Sequence, residues 1–487
     1  MQTRLTPELL ATSAGREADR ILRSCVHCGF CTATCPTYQL LGDELDGPRG
    51  RIYQLKLVLE GERATRSTQQ HLDRCLSCLN CETTCPSGVE YHKLVEIGCE
   101  RIERAVRRPL PERLLRWGLR KVLPYPSRFV PLLRVGQWLR PLLPQPLRNK
   151  VPVTLSPRPR RRAAVTELAP ARTHQAGTCE NTRRSPELAP ARTHPETASA
   201  EPADEPTMAS GAARRLLMLD NCVEPALSPA TVQASQRVLA RLGIEVLQPA
   251  GSGCCGAISQ HLAAPEEARR LMRRNIDAWW PQIAPSDPEQ TPVEAVLITA
   301  SGCGALVKDY GWHLRDDPRY ADKAARVSAL ARDLSELLSA EDLARLPSPF
   351  ARGVPRRIAF HPPCTLQHGQ RLMGRVEALL TSAGFELTPV RDAQSCCGSA
   401  GTYSILQAEL STRLRADRLE ALQAGAPALI ATANVGCQTH LAAAAGRPVM
   451  HWIELFDPHH RAFRGAASET TGVSAMTCWA RSPRTRS

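Results

Sequence analysis

Two stretches of the chain carry one hydrophobic plan. Residues 213–309 and 356–443 each open on a short apolar run, RRLLMLDNC and RRIAFHPPC, that ends in a cysteine, Cys222 or Cys364. Each then shows helical periodicity, TVQASQRVLARLG and GRVEALLTSAG, followed by a second apolar run, IEVLQPA and FELTPV. Next come SGCCGA and QSCCGSAG, a charged amphipathic helix, and a third apolar run, EAVLITASGCG and ALIATANVGC. From Cys222 to Cys254 is 32 positions, and from Cys364 to Cys396 is also 32. Short strands alternating with helices predict parallel α/β units. Ligands of such sheets sit beyond the carboxyl ends of the strands. Every cysteine position of both copies follows a predicted strand, so the thiols are placed to converge there.

Elsewhere the pattern changes. Residues 1–100 read as a mainly helical domain that carries two cysteine runs. Residues 101–150 are basic and apolar with scattered prolines, which predicts a Pro-interrupted helical joint. Residues 151–210 hold nine prolines and no Phe, Trp or Tyr. Such a segment buries little and reads as a disordered linker. Within it ELAPARTH occurs at 167–174 and again at 187–194, a slipped duplication to which no function is assigned. The two α/β domains are expected at 211–350 and 351–457, with a disordered tail at 458–487. The fold class is therefore α+β multidomain, a helical N-terminal domain followed by two tandem parallel-sheet domains.

Composition adds further constraints. The 487 residues exceed what one hydrophobic core organises. No run of 18 uncharged apolar residues occurs, so no spanning helix is expected. The N-terminus MQTRLTPELLATSAGREADR lacks an apolar signal-peptide core, which predicts a cytoplasmic protein. In a reducing compartment 19 cysteines point to metal ligands or redox groups rather than disulfides. The net charge of +14 is concentrated: residues 101–162 hold 17 Lys plus Arg against Glu103 and Glu112. A nucleic-acid partner would rest on that segment alone, and none is expected. Its tryptophans among arginines suit an anionic membrane surface or an acidic partner subunit, beside the plain reading of a solvated hairpin.

The two N-terminal runs, CVHCGFCTATCP at 25–36 and CLSCLNCETTCP at 75–86, share the spacing C-x2-C-x2-C-x3-C-P. That spacing wraps a cubane [4Fe–4S] cluster, and in two-cluster proteins the fourth cysteine ligates the other cluster. The assignment is Cys25, Cys28, Cys31 and Cys85 for one cluster, and Cys75, Cys78, Cys81 and Cys35 for the other. Pro36 and Pro86 turn the chain away after the last ligand, and Gly29 lets backbone approach the cube. A zinc site prefers two separated pairs of ligands and fits this spacing less well.

Adjacent cysteines such as Cys254 and Cys255 are awkward for one metal ion and suit an irregular iron–sulfur centre or a redox thiol pair. The plainer reading is buried small apolar residues. Gly256 and Gly398 follow the pairs, and Gly302 and Gly436 precede the third positions, which signals unusual dihedrals. These halves resemble the CCG domain of heterodisulfide reductase and of the anaerobic glycerol-3-phosphate dehydrogenase and glycolate oxidase iron–sulfur subunits. The third positions read CGAL at 303–306 and CQTH at 437–440, so the family's last cysteine is absent in both. His440 is a candidate substitute in the second copy. The candidate ligands or redox thiols are Cys222, Cys254, Cys255 and Cys303, with Cys364, Cys396, Cys397 and Cys437. Cys99, Cys179 and Cys478 fall outside any pattern and read as free thiols.

The order of parts is similar to that of the glycolate oxidase iron–sulfur subunit family. The stretches CVHCGFCTATCPTY, LDGPRGRIYQLK, CLSCLNCETTCPSGVEYHKLVEIG and PVMHWIELF carry the resemblance. It implies two [4Fe–4S] clusters, with one further iron–sulfur centre in the CCG domains as an open expectation. It also implies flavin-containing partner subunits that oxidise glycolate to glyoxylate, a membrane quinone acceptor, and a peripheral place at the inner face of the cytoplasmic membrane. An iron–sulfur subunit of a glycerol-3-phosphate or lactate dehydrogenase, and a heterodisulfide-reductase-like thiol-disulfide catalyst, are the alternatives. No G-x-G-x-x-G signature or nucleophile–base pairing stands out, and no catalytic residue is expected in the chain itself.

Overall fold

The computed structural model describes residues 1–142 and 214–459. The predicted linker, and the predicted tail beyond residue 459, lie outside the described residues, as do Cys179 and Cys478. The N-terminal region is helical. Its main helices are α1 (Ser13–Ser24), α2 (Pro48–Leu59), α3 (Arg66–Asp73) and α4 (Tyr91–Ala105). They close on a core that includes Ile21, Leu22, Leu55, Leu59, Leu94 and Ile102. Thr12 caps α1 by accepting from the Gly15 N–H, and Thr65 caps α3 by accepting from the Thr68 N–H. Pro48 starts α2, where a missing N–H costs nothing.

A 3-10 turn at Glu44–Asp46 leads into α2, and Gly50 lets the two touch. A Cβ on Gly50 would lie 2.1 Å from the Glu44 backbone oxygen. This close approach carries Asp46 into the core. Its carboxylate accepts from Arg74 Nη1 at 2.8 Å and lies 3.5 Å from Arg51 Nη2 and 3.1 Å from His71 Nδ1. A buried charge needs such partners. Arg51, also fully buried, donates to the His71 carbonyl at 2.8 Å and to Thr37 Oγ1 at 3.2 Å.

The joint forms two helices, α5 (Leu110–Val122) and α6 (Pro126–Leu139). Pro124 falls between them, and Pro126 opens the second. Asp73 ties the joint to α3, accepting from Arg108 Nη2 at 2.9 Å and from Arg116 Nη2 at 2.8 Å.

Each half of residues 214–459 contains a four-stranded parallel sheet. The first joins β1 (Arg215–Met218), β2 (Glu245–Leu247), β3 (Ala295–Ile298) and β4 (Ala331–Asp333) in the order β2-β1-β3-β4. The second joins β5 (Arg357–His361), β6 (Glu386–Leu387), β7 (Ile430–Thr432) and β8 (Val449–His451) as β6-β5-β7-β8. The orders are the same, as the repeated plan requires. Helix α7 (Pro229–Arg241) links β1 to β2, α8 (Pro265–Ile283) links β2 to β3, and α9 (Ser301–Lys308) follows β3. In the second half α10 (Arg375–Ser382), α11 (Ala408–Gln423) and α12 (Val435–Ala442) take the same places. Strands β4 and β8 were not part of the three-run plan. Each is only three residues long, and β4 follows a helical run directly, so periodicity alone does not mark it.

The two sheets do not have separate interiors. Leu216, Met218, Ile358, Phe360, Trp452 and Phe456 belong to one core, in which α7 packs on the 3-10 turn Trp452–Phe456. The segments beyond the strands also meet. Ser301 donates its N–H to the Ala433 carbonyl at 3.3 Å, Gln370 Nε2 donates to the Ser301 carbonyl at 3.0 Å, and His451 Nε2 meets the Thr299 carbonyl at 3.1 Å. The carboxyl ends of both sheets therefore look onto common ground.

Two outcomes follow from this packing. Gly50→Ala should cost about 1–3 kcal/mol, because its methyl group meets backbone that cannot yield; a urea titration should show a lower midpoint with the slope unchanged. His451 accepts from the Ile453 N–H on Nδ1, and burial holds its pKa down to about 3 against the opposing bonds to Thr299 and Ala433. Below pH 6.5 the unfolded chain binds a proton that the folded chain refuses until about pH 3. Stability should fall through that window as pH drops, by up to about 1.4 kcal/mol per pH unit for this group. His451→Gln should remove that share of the slope between pH 6.5 and 5, read from urea midpoints.

Candidate metal centres

The two N-terminal cysteine runs fold alike. His27 has φ 57° and Gly29 φ 88°, and Ser77 has φ 49° and Leu79 φ 62°, at the same offsets in each run. Left-handed backbone at a non-glycine residue costs about 1–2 kcal/mol. Its repetition at matched positions curls three cysteines of each run around one point. One-turn helices, Phe30–Ala33 and Asn80–Thr83, then carry the chain on to Cys35 and Cys85.

The fourth cysteines cross over. Cys85 lies with Cys25, Cys28 and Cys31 around one small cavity, and Cys35 lies with Cys75, Cys78 and Cys81 around a second. Cys81 borders both. Burial pushes the Cys31 thiol up to about 11 and raises Cys25, Cys78 and Cys81 as well, with neighbouring thiols adding to each. Four soft sulfur donors per cradle, held by left-handed backbone, fit iron–sulfur chemistry. Cys35 Sγ is 3.2 Å from Thr37 Oγ1, and the Tyr91 hydroxyl donates to Cys75 Sγ at 3.7 Å. Burial opposes the charge on Arg51, but Cys75, Tyr91, Cys35 and Asp46 outweigh it, so the guanidinium stays a cation beside the second set.

The second run is seated on the second repeat. Leu76 packs with Cys364, Cys396 and Tyr403. Asn80 Nδ2 donates to the Thr34 carbonyl at 3.1 Å and to the Gln394 carbonyl at 3.5 Å. Thr83 Oγ1 pairs with His368 Nδ1 at 2.8 Å, and the Tyr403 hydroxyl donates to the Arg74 carbonyl at 3.3 Å. Cys364 is near enough to raise Cys78.

Within each repeat four thiols assemble. Cys222, Cys254, Cys255 and Cys303 form one continuous line of sulfur contacts, and Cys364, Cys396, Cys397 and Cys437 form the other. Cys364 and Cys396 stand 3.8 Å apart at sulfur. Gly256 at φ 104° and Gly398 at φ 84° turn the chain after each pair. A Cβ on Gly398 would lie 2.6 Å from the Ser411 carbonyl oxygen, so only glycine fits. In the first set, bonds from Cys222 and Cys255 draw Cys254 well below the ordinary thiol range, with Arg274 helping.

All eight thiols, with Cys75 and Cys99, line a single cavity of about 1400 Å³ between the repeats and the N-terminal helices. Cys99 thus belongs to this wall, although its position matches no motif. On the same wall burial pushes the Glu96 carboxyl up to about 8, against the pull of His92.

His440 does not take the place proposed for it. Its Nε2 meets Ser411 Oγ at 3.2 Å, and burial with Arg415 holds its pKa down to about 4. The imidazole that approaches sulfur is His361, of which a ring nitrogen lies within 4.8 Å of Cys397 and Cys437. Arg418 on α11 donates its Nε–H to His361 Nδ1 at 3.0 Å. Both residues escape motif reading because they sit in a strand end and a helix. The one available signal is that Leu219 stands where the first repeat would have the histidine.

Comparison with known proteins agrees with this geometry. A model of a 4Fe-4S dicluster domain matches residues 21–89, and a model of a cysteine-rich domain matches residues 216–308 and 358–442. The glycolate oxidase iron-sulfur subunit of Escherichia coli (strain K12) is 50% identical over 457 residues, covering 94% of this chain and 98% of that protein. The probable glycolate oxidase iron-sulfur subunit of Bacillus subtilis (strain 168) is 28% identical over 85% of this chain and 87% of its own length. Lactate utilization protein A of Bacillus licheniformis is 26% identical over 46% of this chain and 91% of its own length. Since half of its residues are shared with such a subunit over nearly the full length of both, the chain belongs to the family of glycolate oxidase iron–sulfur subunits.

Proposed function

We propose that this chain carries electrons within a glycolate oxidase complex, from flavin-bearing partner subunits that oxidise glycolate to glyoxylate toward a membrane quinone. The observation that carries the reading is the contiguity of the sulfur sets. The crossed N-terminal sets adjoin each other at Cys81, and the second of them is seated on the second repeat's set. Cys25, Cys28, Cys31 and Cys85 would hold one [4Fe–4S] cluster, and Cys75, Cys78, Cys81 and Cys35 the other. The two quartets of the repeats would hold further iron–sulfur chemistry. When bound, such clusters supply one-electron storage at potentials set by charge, hydrogen bonds and burial. The protein groups act around them. Arg51 offsets negative charge beside the second set, Tyr91 donates to Cys75, and Leu76, Asn80 and Tyr403 hold that set against the repeat. The hydroxy acid and flavin belong to the partners in this reading.

The joint supplies a place to meet the membrane. No helix of the described residues is long and apolar enough to cross one. Among the described residues, eight of the fourteen exposed large apolar side chains lie on this joint, including Leu114, Trp117, Leu132, Val135, Trp138 and Leu142. Arg113, Arg128 and Arg134 stand exposed among them, and the acidic Glu112 is taken up by Arg66, Arg108 and Arg116. Apolar and aromatic groups mixed with cations fit the interface of an anionic bilayer, here on the cytoplasmic face.

Cys28→Ser should remove about four of the eight irons expected of two cubanes and stop glycolate-driven bleaching of the iron–sulfur absorbance in the purified complex. Glycolate oxidation by the flavin subunits with an artificial acceptor should persist. Full iron content in that variant would reject the ligand assignment, and reduction by lactate instead of glycolate would reassign the substrate. Replacing Trp117 and Trp138 together by serine should weaken co-sedimentation with anionic vesicles several-fold and leave iron content intact. Retention of an acidic partner subunit lost in that variant, with vesicle binding unchanged, would turn the joint into a subunit interface.

A further inference from the structure

His361 closes β5 three residues ahead of Cys364 and is fully buried. Its two ring nitrogens face different surroundings. Nδ1 receives the Nε–H of Arg418 at 3.0 Å. Arg418 is itself buried and held by three backbone carbonyls: Nη1 donates to Arg391 and Asp392 at 3.2 and 2.8 Å, and Nη2 to Ala393 at 3.4 Å. A guanidinium does not give up its proton in a protein, so Nδ1 must be the acceptor. The hydrogen-bond network therefore assigns the imidazole proton to Nε2. Nε2 is buried with no hydrogen-bond partner among the described residues. One of the two ring nitrogens lies within 4.8 Å of the sulfurs of Cys397 and Cys437.

A metal-bound histidine ordinarily donates its other ring N–H to a carboxylate or carbonyl. His361 has the reverse arrangement, a cationic donor at its other nitrogen, which leaves no lone pair on Nε2 for a metal. An N–H aimed at sulfur acts differently: it stabilises the more negative, reduced state of a sulfur-bound centre and raises its potential. We propose that His361, locked in one tautomer by Arg418, is an N–H donor to the centre that the second cysteine quartet would hold and tunes its potential, rather than serving as its ligand. This rests on the reading that the quartet holds an iron–sulfur centre.

The device belongs to one repeat. Gly256 faces Ala268 on α8 and Gly398 faces Ser411 on α11, which equates those two helix positions. Seven residues further on stand Asn275 in the first repeat and Arg418 in the second. Asn275 Nδ2 donates to the Gly253 and Cys254 carbonyls at 3.3 and 3.1 Å and reaches no imidazole, because Leu219 occupies the place of His361.

The test uses the full-length holoprotein as wild type, His361→Gln and His361→Leu, with iron and acid-labile sulfide measured before an EPR-monitored redox titration. All three should hold the same iron. The leucine variant should move one centre to a more negative midpoint, the glutamine variant, which keeps an N–H donor, should restore most of the shift, and the other centres should not move. Loss of iron in both variants would show a ligand and overturn the proposal, as would an unmoved midpoint in the leucine variant. Pulsed EPR of the reduced wild-type protein needs no substitution: it should show an exchangeable proton coupled to one centre, and a directly bonded nitrogen there would overturn the proposal. A wild-type protein with only about eight irons would remove the underlying centre, an outcome seen before any variant is made.

Discussion

The exchange of Cys35 and Cys85 is the constraint on which the rest of the molecule depends. Each run supplies three sulfurs to its own cradle and delivers the fourth to the other. Neither cradle is complete until residues 25–35 and 75–85 have come together, so the intervening chain must return on itself. Helices α2 and α3 provide that return. On the turn that leads into α2 sits Asp46, which is tolerable inside only because Arg51, Arg74 and His71 surround it. Gly50 and the close turn it allows are part of the same arrangement. The strain stored at His27, Ser77 and Leu79 is local, and the packed helices around it hold it in place.

Gathering many sulfurs in one interior also raises an electrostatic demand, because burial disfavours thiolates. The chain meets it differently at each set. Arg51 stands beside Cys35 and Cys75, Arg274 acts on Cys254, and Arg418 stands near Cys396, Cys397 and Cys437. The two repeats are alike in topology and in the spacing of their cysteines, yet their surroundings differ. The second receives the N-terminal module through Leu76, Asn80 and Tyr403, and it alone has the His361–Arg418 pair. Duplication supplied two equal frames, and packing made their sites unequal.

A good part of this organisation was legible in the residues. The two cysteine runs, the matched 32-residue intervals and the strand–helix alternation all lie within short reach along the chain, where covalent geometry and periodicity control structure. Glycine after each cysteine pair likewise announced a backbone that other residues do not adopt. The short strands β4 and β8 were not announced, since three residues are too few to show a period. Nor was it announced that one interior serves both sheets, with α7 of the first repeat packed against Trp452–Phe456 at the end of the second.

The sequence alone thus determined the thiols, their grouping into runs and the duplicated parallel-sheet plan. Only the tertiary structure decided which donors share a wall. It brought Cys99 beside the other thiols of the cavity, turned His440 to Ser411 and brought His361 to Cys397 and Cys437. The physical reason is one of range. Spacing along a chain specifies what a loop of ten residues can surround, whereas the direction of a side chain from a distant strand or helix is settled by core packing and by buried hydrogen bonds that join residues 57 positions apart, as Arg418 and His361 are.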